Sequence, residues 1–236
     1  MLNPDLDRKQ LAEQWAVDGR VRIENILDAD VAERVHAAMR TKVPFRYVYN
    51  LDGKNEAKTH EEMAAMSQDQ LRDLQTKIMT AASRGIGFYY CGYMIGHRDA
   101  ETQDEDLKFL NSIFDYVNGA EMLSFVSEIT GYDDLKSAAA QYTRYAPGQF
   151  LTRHRDETAD ERRLAFVFGF SKNWHPDWGG LLQFYEQNGT PRDAWAPAFN
   201  TVSMFDIRHI HAVTYVAPYA QEPRLSLTGW FRAKPL

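Results

Sequence analysis

The chain has 236 residues, of which 44% are apolar and 25% are charged, and its formal net charge is −6. This balance is ordinary for a globular protein, and the sequence has no long Lys/Arg block that would indicate nucleic-acid binding. The sequence contains no run of about eighteen apolar residues, so we expect no membrane span. The single cysteine, Cys91, excludes an internal disulfide, and the polar N-terminus has no apolar secretory segment. We therefore expect a cytoplasmic protein without nucleic-acid or membrane partners.

Residues 1–134 predict a region of mixed helices and strands. Ser67 and Gln70 form a capping-box pattern that begins a helix, and Asp28 is placed to cap an earlier one. Apolar residues at helical or alternating spacing define the other elements. The predicted elements are a strand over Val21 to Leu27, a helix after Asp28, a strand over Val43 to Leu51, a helix after Ser67, a strand over Gly87 to Ile95, and helices near Asp104 to Val117 and Ala120 to Thr130.

The segment from Tyr49 to Glu62 combines the turn-forming run Asp52-Gly53-Lys54-Asn55 with several charges. It predicts a flexible loop between two ordered elements. Two hypotheses remain open for it: a lid over an active-site mouth, or a plain surface loop.

From about Leu135 the pattern changes to short strands separated by turn residues, among them the hairpin pair Asn188-Gly189. Such a series is typical of a jelly-roll barrel, with the preceding helices packed outside it. We predict one domain over residues 1–236, in which residues 1–134 support a core over 135–236. The predicted strands are Ser137 to Tyr145, Phe150 to Arg155, Leu164 to Phe170, Leu181 to Tyr185, Thr201 to Phe205, Ile210 to Val216 and Leu225 to Phe231.

Two of these strands carry metal-ligand residue types. His154 and Asp156 are two positions apart, so on a strand they face the same side. His211 lies in a later apolar strand, where a buried histidine needs a hydrogen bond or a metal. Two histidines and one carboxylate form the facial triad of non-haem iron(II) oxygenases. His209 shares the parity of His211 and is the rival ligand, but it follows a predicted bend.

The last strand alternates a polar with an apolar face. Arg224, Ser226, Thr228 and Trp230 share one face, opposite Leu225, Leu227 and Phe231. A buried arginine is costly unless it meets an anion, and its planar fork suits a carboxylate that a nearby hydroxyl can share. The alternative is an edge strand with Arg224 in solvent. The order His-x-Asp, His, Arg with Ser two residues later favours the anion-binding hypothesis.

These residues resemble the prolyl-hydroxylase-type branch of the 2-oxoglutarate and iron(II) dioxygenases, and within it the ribosomal-protein prolyl hydroxylases. The resemblance covers roughly Gln141 to Pro235. Its matching stretches are Tyr145-Ala146-Pro147-Gly148, His154-Arg155-Asp156, Trp178-Gly179-Gly180-Leu181-Leu182, Pro197-Ala198-Phe199-Asn200, His211-Ala212-Val213 and Arg224-Leu225-Ser226 running into Gly229-Trp230-Phe231.

The resemblance implies a double-stranded β-helix with Fe(II) at one mouth, held by His154, Asp156 and His211. It implies that Arg224 pairs with the distal carboxylate of 2-oxoglutarate and that Tyr145 contacts the same co-substrate, with Ser226 beside them. The implied reaction consumes O2 and 2-oxoglutarate and hydroxylates an unactivated C–H bond. The larger ribosomal-protein hydroxylases carry a second barrel that this sequence lacks.

We expect the substrate to be a prolyl residue of a protein or peptide, with Trp230 stacking on the proline ring and acidic rim residues favouring a basic segment. A free amino acid or other small metabolite is the alternative, since Arg144, Arg153 or Arg155 could hold its carboxylate. Strand parity, however, points Arg153 and Arg155 outward. A zinc hydrolase, or a jelly-roll binding module without catalysis, remains open as another class. The other histidines are expected to be surface or locally hydrogen-bonded residues, namely His36, His60, His97 and His175.

Overall fold

A curled antiparallel sheet with helices on its outer side organises the chain. The computed structural model describes residues 1–51, 53–85, 87–95, 102–156 and 161–236, so the prediction for His97 lies outside the described residues. In these ranges the helices are α1 (Arg8–Asp18), α2 (Ala29–Thr41), α3 (His60–Ala64), α4 (Gln68–Ala82), α5 (Glu105–Val117) and α6 (Ala120–Thr130). The strands are β1 (Arg20–Glu24), β2 (Arg46–Leu51), β3 (Lys54–Lys58), β4 (Phe88–Met94), β5 (Ser137–Tyr145), β6 (Phe150–His154), β7 (Arg162–Gly169), β8 (Leu182–Tyr185), β9 (Pro191–Trp195), β10 (Thr201–Asp206), β11 (Ile210–Val213) and β12 (Arg224–Arg232).

The sheet curls until its two ends meet. Its strand order is β1-β10-β7-β12-β5-β4-β6-β11-β8-β9, with the β2–β3 hairpin attached through β4. Arg20 on β1 pairs with Asp193 on β9 at 2.8 Å, and Arg192 on β9 pairs with Asp18 before β1 at 2.7 Å. The predicted jelly-roll architecture is therefore confirmed.

The two faces of β12 serve different parts of the barrel. Leu225, Leu227 and Phe231 are buried in the main core, which the inner faces of α1, α2, α5 and α6 complete from outside. Arg224 and Trp230, on the opposite face, line an interior cavity. Burial of the apolar row fixes the register, because a slip of one residue would place the arginine in the core. The predicted packing of the N-terminal helices outside the barrel is confirmed.

The predicted loop from Tyr49 to Glu62 was wrong. Apart from Asp52, which lies outside the described residues, this segment is the β2–β3 hairpin followed by α3. The Asn50 amide donates to the Asn55 side chain at 2.8 Å across the hairpin. Thr59 and Glu62 then form a capping box that begins α3. A lid would therefore have to move as a hairpin and not as an irregular loop.

Helix lengths in the described ranges are modest. The longest of these helices, α4, has 15 residues, and no helix there combines the length and apolar content needed to cross a bilayer. The capping box of Ser67 and Gln70 begins α4 as predicted. Helix α1 and strand β9 were not predicted.

Candidate metal centre

Pairing of β6 with β11 brings three ligand-type side chains together. His154 and His211 are register partners across these strands, and Asp156 follows β6 by two residues. The Asp156 carboxylate lies 3.6 Å from His154 Nε2 and 3.5 Å from His211 Nε2. One ligand atom of each residue lies within 4.8 Å of the other two. These three side chains can bind one metal ion, all from the same side of the ion.

Both histidines are oriented by backbone carbonyls. His154 Nδ1 lies 2.9 Å from the Thr152 carbonyl oxygen, and His211 Nδ1 lies 3.0 Å from that of His209. A carbonyl oxygen accepts only, so each Nδ1 carries the proton and donates it. Each Nε2 therefore presents a lone pair toward the shared point, which is how metal-binding histidines are fixed.

The electrostatics suit a cation. Burial, followed by the positive charge of His154, lowers the pKa of His211 to about 4. Burial alone would raise the pKa of Asp156, but the His154 hydrogen bond and the charges of both histidines hold it below its usual value. At neutral pH the site thus offers a neutral imidazole and a carboxylate, the protonation states that metal binding requires.

The spacing fits a small divalent ion without choosing between iron and zinc. Ligand atoms about 2.1 Å from one ion lie about 3.0 Å apart at a right angle and about 3.4 Å apart at the tetrahedral angle. The observed separations of 3.5 and 3.6 Å are slightly wider. A small inward shift would satisfy either geometry.

His209 turns away from this point. Its Nε2 donates to the Asp18 carbonyl oxygen at 2.8 Å, at the end of α1. The structure thus brings His211, and not His209, to His154 and Asp156.

A cavity of about 380 Å³ opens beside the triad. Tyr145, Arg224 and Trp230 line it together with the three ligand-type residues. Residues from β4, β5, β7, β8 and β12 form most of the wall. A volume of this size is within the range of small-molecule sites.

Arg224 is a buried cation for which the described residues provide no anion. It is 4% exposed, its Nη1 donates to Ser226 Oγ at 3.0 Å, and its Nε has no hydrogen-bond partner among the described residues. No carboxylate forms an ion pair with Arg224 in the part of the chain that the structure describes. Burial lowers the pKa of this guanidinium. Such a charge is expensive unless a ligand supplies the counter-ion.

Tyr145 lies beside this arginine. The Arg224 guanidinium carbon is 5.1 Å from the centre of the Tyr145 ring, and the two residues are register partners on β12 and β5. Burial raises the pKa of Tyr145, so its hydroxyl remains a neutral donor. Arg224, Ser226 and Tyr145 together can hold one carboxylate.

Trp230 has a neighbour that the sequence did not predict. The Arg162 guanidinium carbon lies 3.6 Å from the centre of the Trp230 ring, and Arg162 Nη1 lies 3.8 Å from Asp156 Oδ1. Arg162 therefore covers one face of the indole, and a proline ring cannot stack there while it does. The buried indole Nε1 makes no hydrogen bond of normal geometry in the described residues, although the Trp230 N–H contributes to lowering the pKa of Asp156.

The other predicted arginines fall outside the cavity or at its rim. Arg144 packs over Phe45 and Arg153 over Tyr185. Arg155 was predicted to point outward, but it lines the cavity and bonds to the Gln187 side chain. Arg155, Arg162 and Arg224 line the cavity, and Asp156 is the one carboxylate in its described lining. The expected acidic rim stays a prediction.

Residues 140–232 match the family model described as 2OG-Fe(II) oxygenase superfamily. The matched segment nearly coincides with Gln141 to Pro235, the stretch over which the sequence resembles that superfamily. A curated relative is the prolyl 3-hydroxylase OGFOD1 of Mus musculus, which is 27% identical over 142 residues, 55% of this chain and 25% of that protein. The match thus spans about a quarter of the length of that relative.

Solved structures share the fold. A Pseudomonas putida prolyl-4-hydroxylase superposes with a TM-score of 0.60 and 20% identity, over 96% of this chain and 99% of the other. A second solved structure is a Trichoplax adhaerens prolyl hydroxylase in complex with a hypoxia inducible factor oxygen degradation domain peptide fragment. It superposes with a TM-score of 0.56 and 18% identity, over 96% of this chain and 89% of the other.

Proposed function

We propose that this chain is an Fe(II)- and 2-oxoglutarate-dependent dioxygenase that hydroxylates an unactivated C–H bond. One observation carries the proposal: Arg224, a buried guanidinium with no counter-ion among the described residues, lines the same cavity as a His-Asp-His cluster. Hydrolysis at a zinc ion does not require a buried arginine without a counter-ion. A binding module without catalysis does not require the His-Asp-His cluster.

The proposal gives each residue a role. His154, Asp156 and His211 hold the iron, and their carbonyl-oriented Nδ1–H groups keep the Nε2 atoms directed at it. Arg224, with Ser226 and Tyr145, binds the distal carboxylate of 2-oxoglutarate and so orients its other end toward the metal. Bound iron would supply the oxidative chemistry that converts O2 and 2-oxoglutarate to succinate and CO2.

Metal analysis combined with 2-oxoglutarate binding tests the proposal. The purified protein is stripped of metal, reloaded without oxygen with Fe(II), Mn(II) or Zn(II), and titrated with 2-oxoglutarate by calorimetry. We expect binding that requires both the metal and Arg224. Zinc retention without 2-oxoglutarate binding would instead support a hydrolase, and binding of neither would support a module without catalysis.

We propose that the substrate is a prolyl residue in a protein or peptide. The similarity to relatives named as prolyl hydroxylases supports this. We propose that Trp230 and Arg162 together form the wall against which the target residue packs. The test offers free L-proline and proline-containing peptides separately, and measures succinate together with addition of one oxygen atom by mass spectrometry. Stimulation by free proline alone would reject the peptide substrate and keep the oxygenase.

Arg162 favours a second candidate, a small substrate with its own carboxylate. Its side chain is 27% exposed at the cavity, and its Nη1 lies 3.8 Å from Asp156, whose charge a metal would neutralise. Glu161, which also acts on Arg162, is already paired with Arg232 and Lys234. We expect Arg162→Gln to raise KM for such a substrate by about 10- to 100-fold while 2-oxoglutarate binding stays within about twofold. A neutral peptide substrate would be affected much less, and equal losses for both substrate types would leave no preference.

We also propose that residues 1–236 act as one domain in the cytoplasm, with 1–134 supporting the core over 135–236. Pairing of β1 with β10 and of β4 with β5 supports this division, because the core alone would lose two partner strands. Residues 135–236 expressed alone should not fold, as circular dichroism would show. Fractionation of cells expressing the tagged full chain tests the location.

A further inference from the structure

His209 does not join the metal centre, but it connects helix α1 to His211, which does. Its imidazole Nε2–H donates to the Asp18 carbonyl oxygen at 2.8 Å. Its own backbone carbonyl oxygen accepts the Nδ1–H of His211 at 3.0 Å. One residue thus makes both the contact to the helix and the contact that orients the His211 ring.

The turn that carries His209 is docked on the end of α1 at two points. Besides the imidazole contact, the Asp206 N–H donates to the Gly19 carbonyl oxygen at 2.9 Å. Gly19 ends α1 with φ of 72°, and an added Cβ there would lie 3.3 Å from the Asp206 Cβ. The His209 N–H closes the turn on the Asp206 carbonyl oxygen at 3.1 Å. The position of the His209 carbonyl therefore follows the position of the helix end.

We propose that His209 is a positioning residue for His211, and the proposal rests on the proposed role of His211 as an iron ligand. A carbonyl held at the right place fixes both the tautomer and the rotation of the ligand ring. The Asp18 contact holds that carbonyl in place. Without it the Asp206 N–H bond is the one remaining contact described above between this turn and the end of α1, and the His211 ring can rotate away from the ligand position.

The chain offers a matched control. His36 on α2 also donates from its ring to a backbone carbonyl oxygen, that of Phe170 at 2.7 Å, and is part-buried like His209. It is not part of the cavity lining or of the ligand cluster. Loss of either hydrogen bond should cost similar stability, so only a positioning role separates the two histidines.

The experiment measures metal affinity and not turnover. His209→Phe retains a ring beside Phe184 but has no N–H donor, whereas the amide of His209→Gln can still reach a carbonyl. Metal-free proteins are titrated with Co(II) without oxygen by calorimetry, and the visible Co(II) spectrum is recorded. We expect His209→Phe to raise the Co(II) Kd about tenfold and to change the spectrum. His209→Gln should recover most of the affinity, and His36→Phe should lower Tm without changing Kd.

Each outcome decides the matter. A wild-type Kd in folded His209→Phe overturns the positioning role and leaves the proposed function intact. If that variant does not fold, His209→Ala is compared with His209→Gln, and equal affinities overturn it. A wild-type protein that does not bind Co(II) or Mn(II) rejects the iron site itself, and the positioning role with it.

Discussion

Arg20 and Arg224 lie in two regions of the barrel that treat a buried positive charge in opposite ways. Where the sheet ends meet, Arg20 pairs with Asp18 at 3.0 Å and with Asp193 at 2.8 Å, and its guanidinium packs over the Phe184 ring. In the cavity, Arg224 has only the Ser226 hydroxyl as a polar partner among the described residues. Burial acts against both charges, but the hydrogen bonds to the two aspartates raise the pKa of Arg20, whereas burial lowers that of Arg224.

The difference separates structural charges from functional ones. A protein that buries an arginine for stability completes its ion pairs within the fold. A region that buries one without a partner gives up stability that only a ligand can restore. The comparison therefore predicts opposite responses to substitution, in ligand binding on one side and in stability on the other.

The largest effect is expected for Arg224→Ala. Truncating one partner of a buried charge pair costs about 2–5 kcal/mol, or roughly 30-fold to a few thousand-fold in the Kd for 2-oxoglutarate. Metal affinity should change little. Arg224→Lys should recover only part of the loss, because an ammonium cannot form the bidentate fork. Calorimetry on the Mn(II)-loaded protein measures both, and an unchanged Kd would remove the carboxylate role.

His211 sharpens the comparison, because burial keeps it neutral, the state in which an imidazole binds metal. Its pKa of about 4 in the folded state is below its ordinary value of 6.5. Between these two pH values, His211 is therefore protonated in the unfolded chain and neutral in the folded chain. The metal-free protein should lose stability as pH falls from 6.5 toward 4, by at most about 1.4 kcal/mol per pH unit. Urea unfolding across this window measures it. His211→Asn should flatten the slope, and a slope equal to that of the wild type would contradict the assignment.

Arg20→Met tests the structural half of the comparison. It removes Arg20 from Asp193 and from Asp18, which keeps Arg192, at a cost of about 1.5–3 kcal/mol for hydrogen bonds to charged groups. The matched change Arg224→Met should leave the stability of the ligand-free protein unchanged or raise it, since it removes an uncompensated charge. Chemical unfolding of both variants compares them. If the two lose equal stability, Arg224 has a structural partner and the contrast fails.

The alternation of polar and apolar residues made the cavity side of the barrel predictable. The two faces of β12 follow directly from sequence parity, and so does the convergence of His154 with Asp156. Alternation along β7 gives the wrong side of the strand for Arg162. Counted back along β7 from the buried residues Leu164 and Phe166, Arg162 should face the core. An irregularity in the pairing with β12, between Phe231 and Arg232, lets Arg162 line the cavity, and bulges of this kind leave no mark in residue type.

The elements that the sequence missed are stabilised by their neighbours and not by their own pattern. Helix α1 buries only Leu11 and Trp15, so it lacks a continuous apolar stripe. Strands β3 and β9 are almost wholly exposed, with no alternation to detect. Their pairing partners, β2 and β8, fix them, and such long-range effects override local propensity.

The smallest predicted effect is that of Tyr145→Phe, which asks how much of the anion site lies outside the guanidinium. The ring already packs beside Arg224, 5.1 Å from the guanidinium carbon, and Phe preserves that contact. Only the hydroxyl is lost, so 2-oxoglutarate affinity should fall by about 0.5–1.5 kcal/mol, or roughly 2- to 13-fold.

Thr143→Val, on the same face of β5 and also lining the cavity, serves as the control. Its hydroxyl already donates to the Ser226 carbonyl oxygen at 3.4 Å, so co-substrate affinity should change by less than about twofold. Calorimetry with Mn(II) and 2-oxoglutarate compares the two variants, and a loss as large as that of Arg224→Ala in Tyr145→Phe would mean that the phenol, and not the arginine, carries most of the anion recognition.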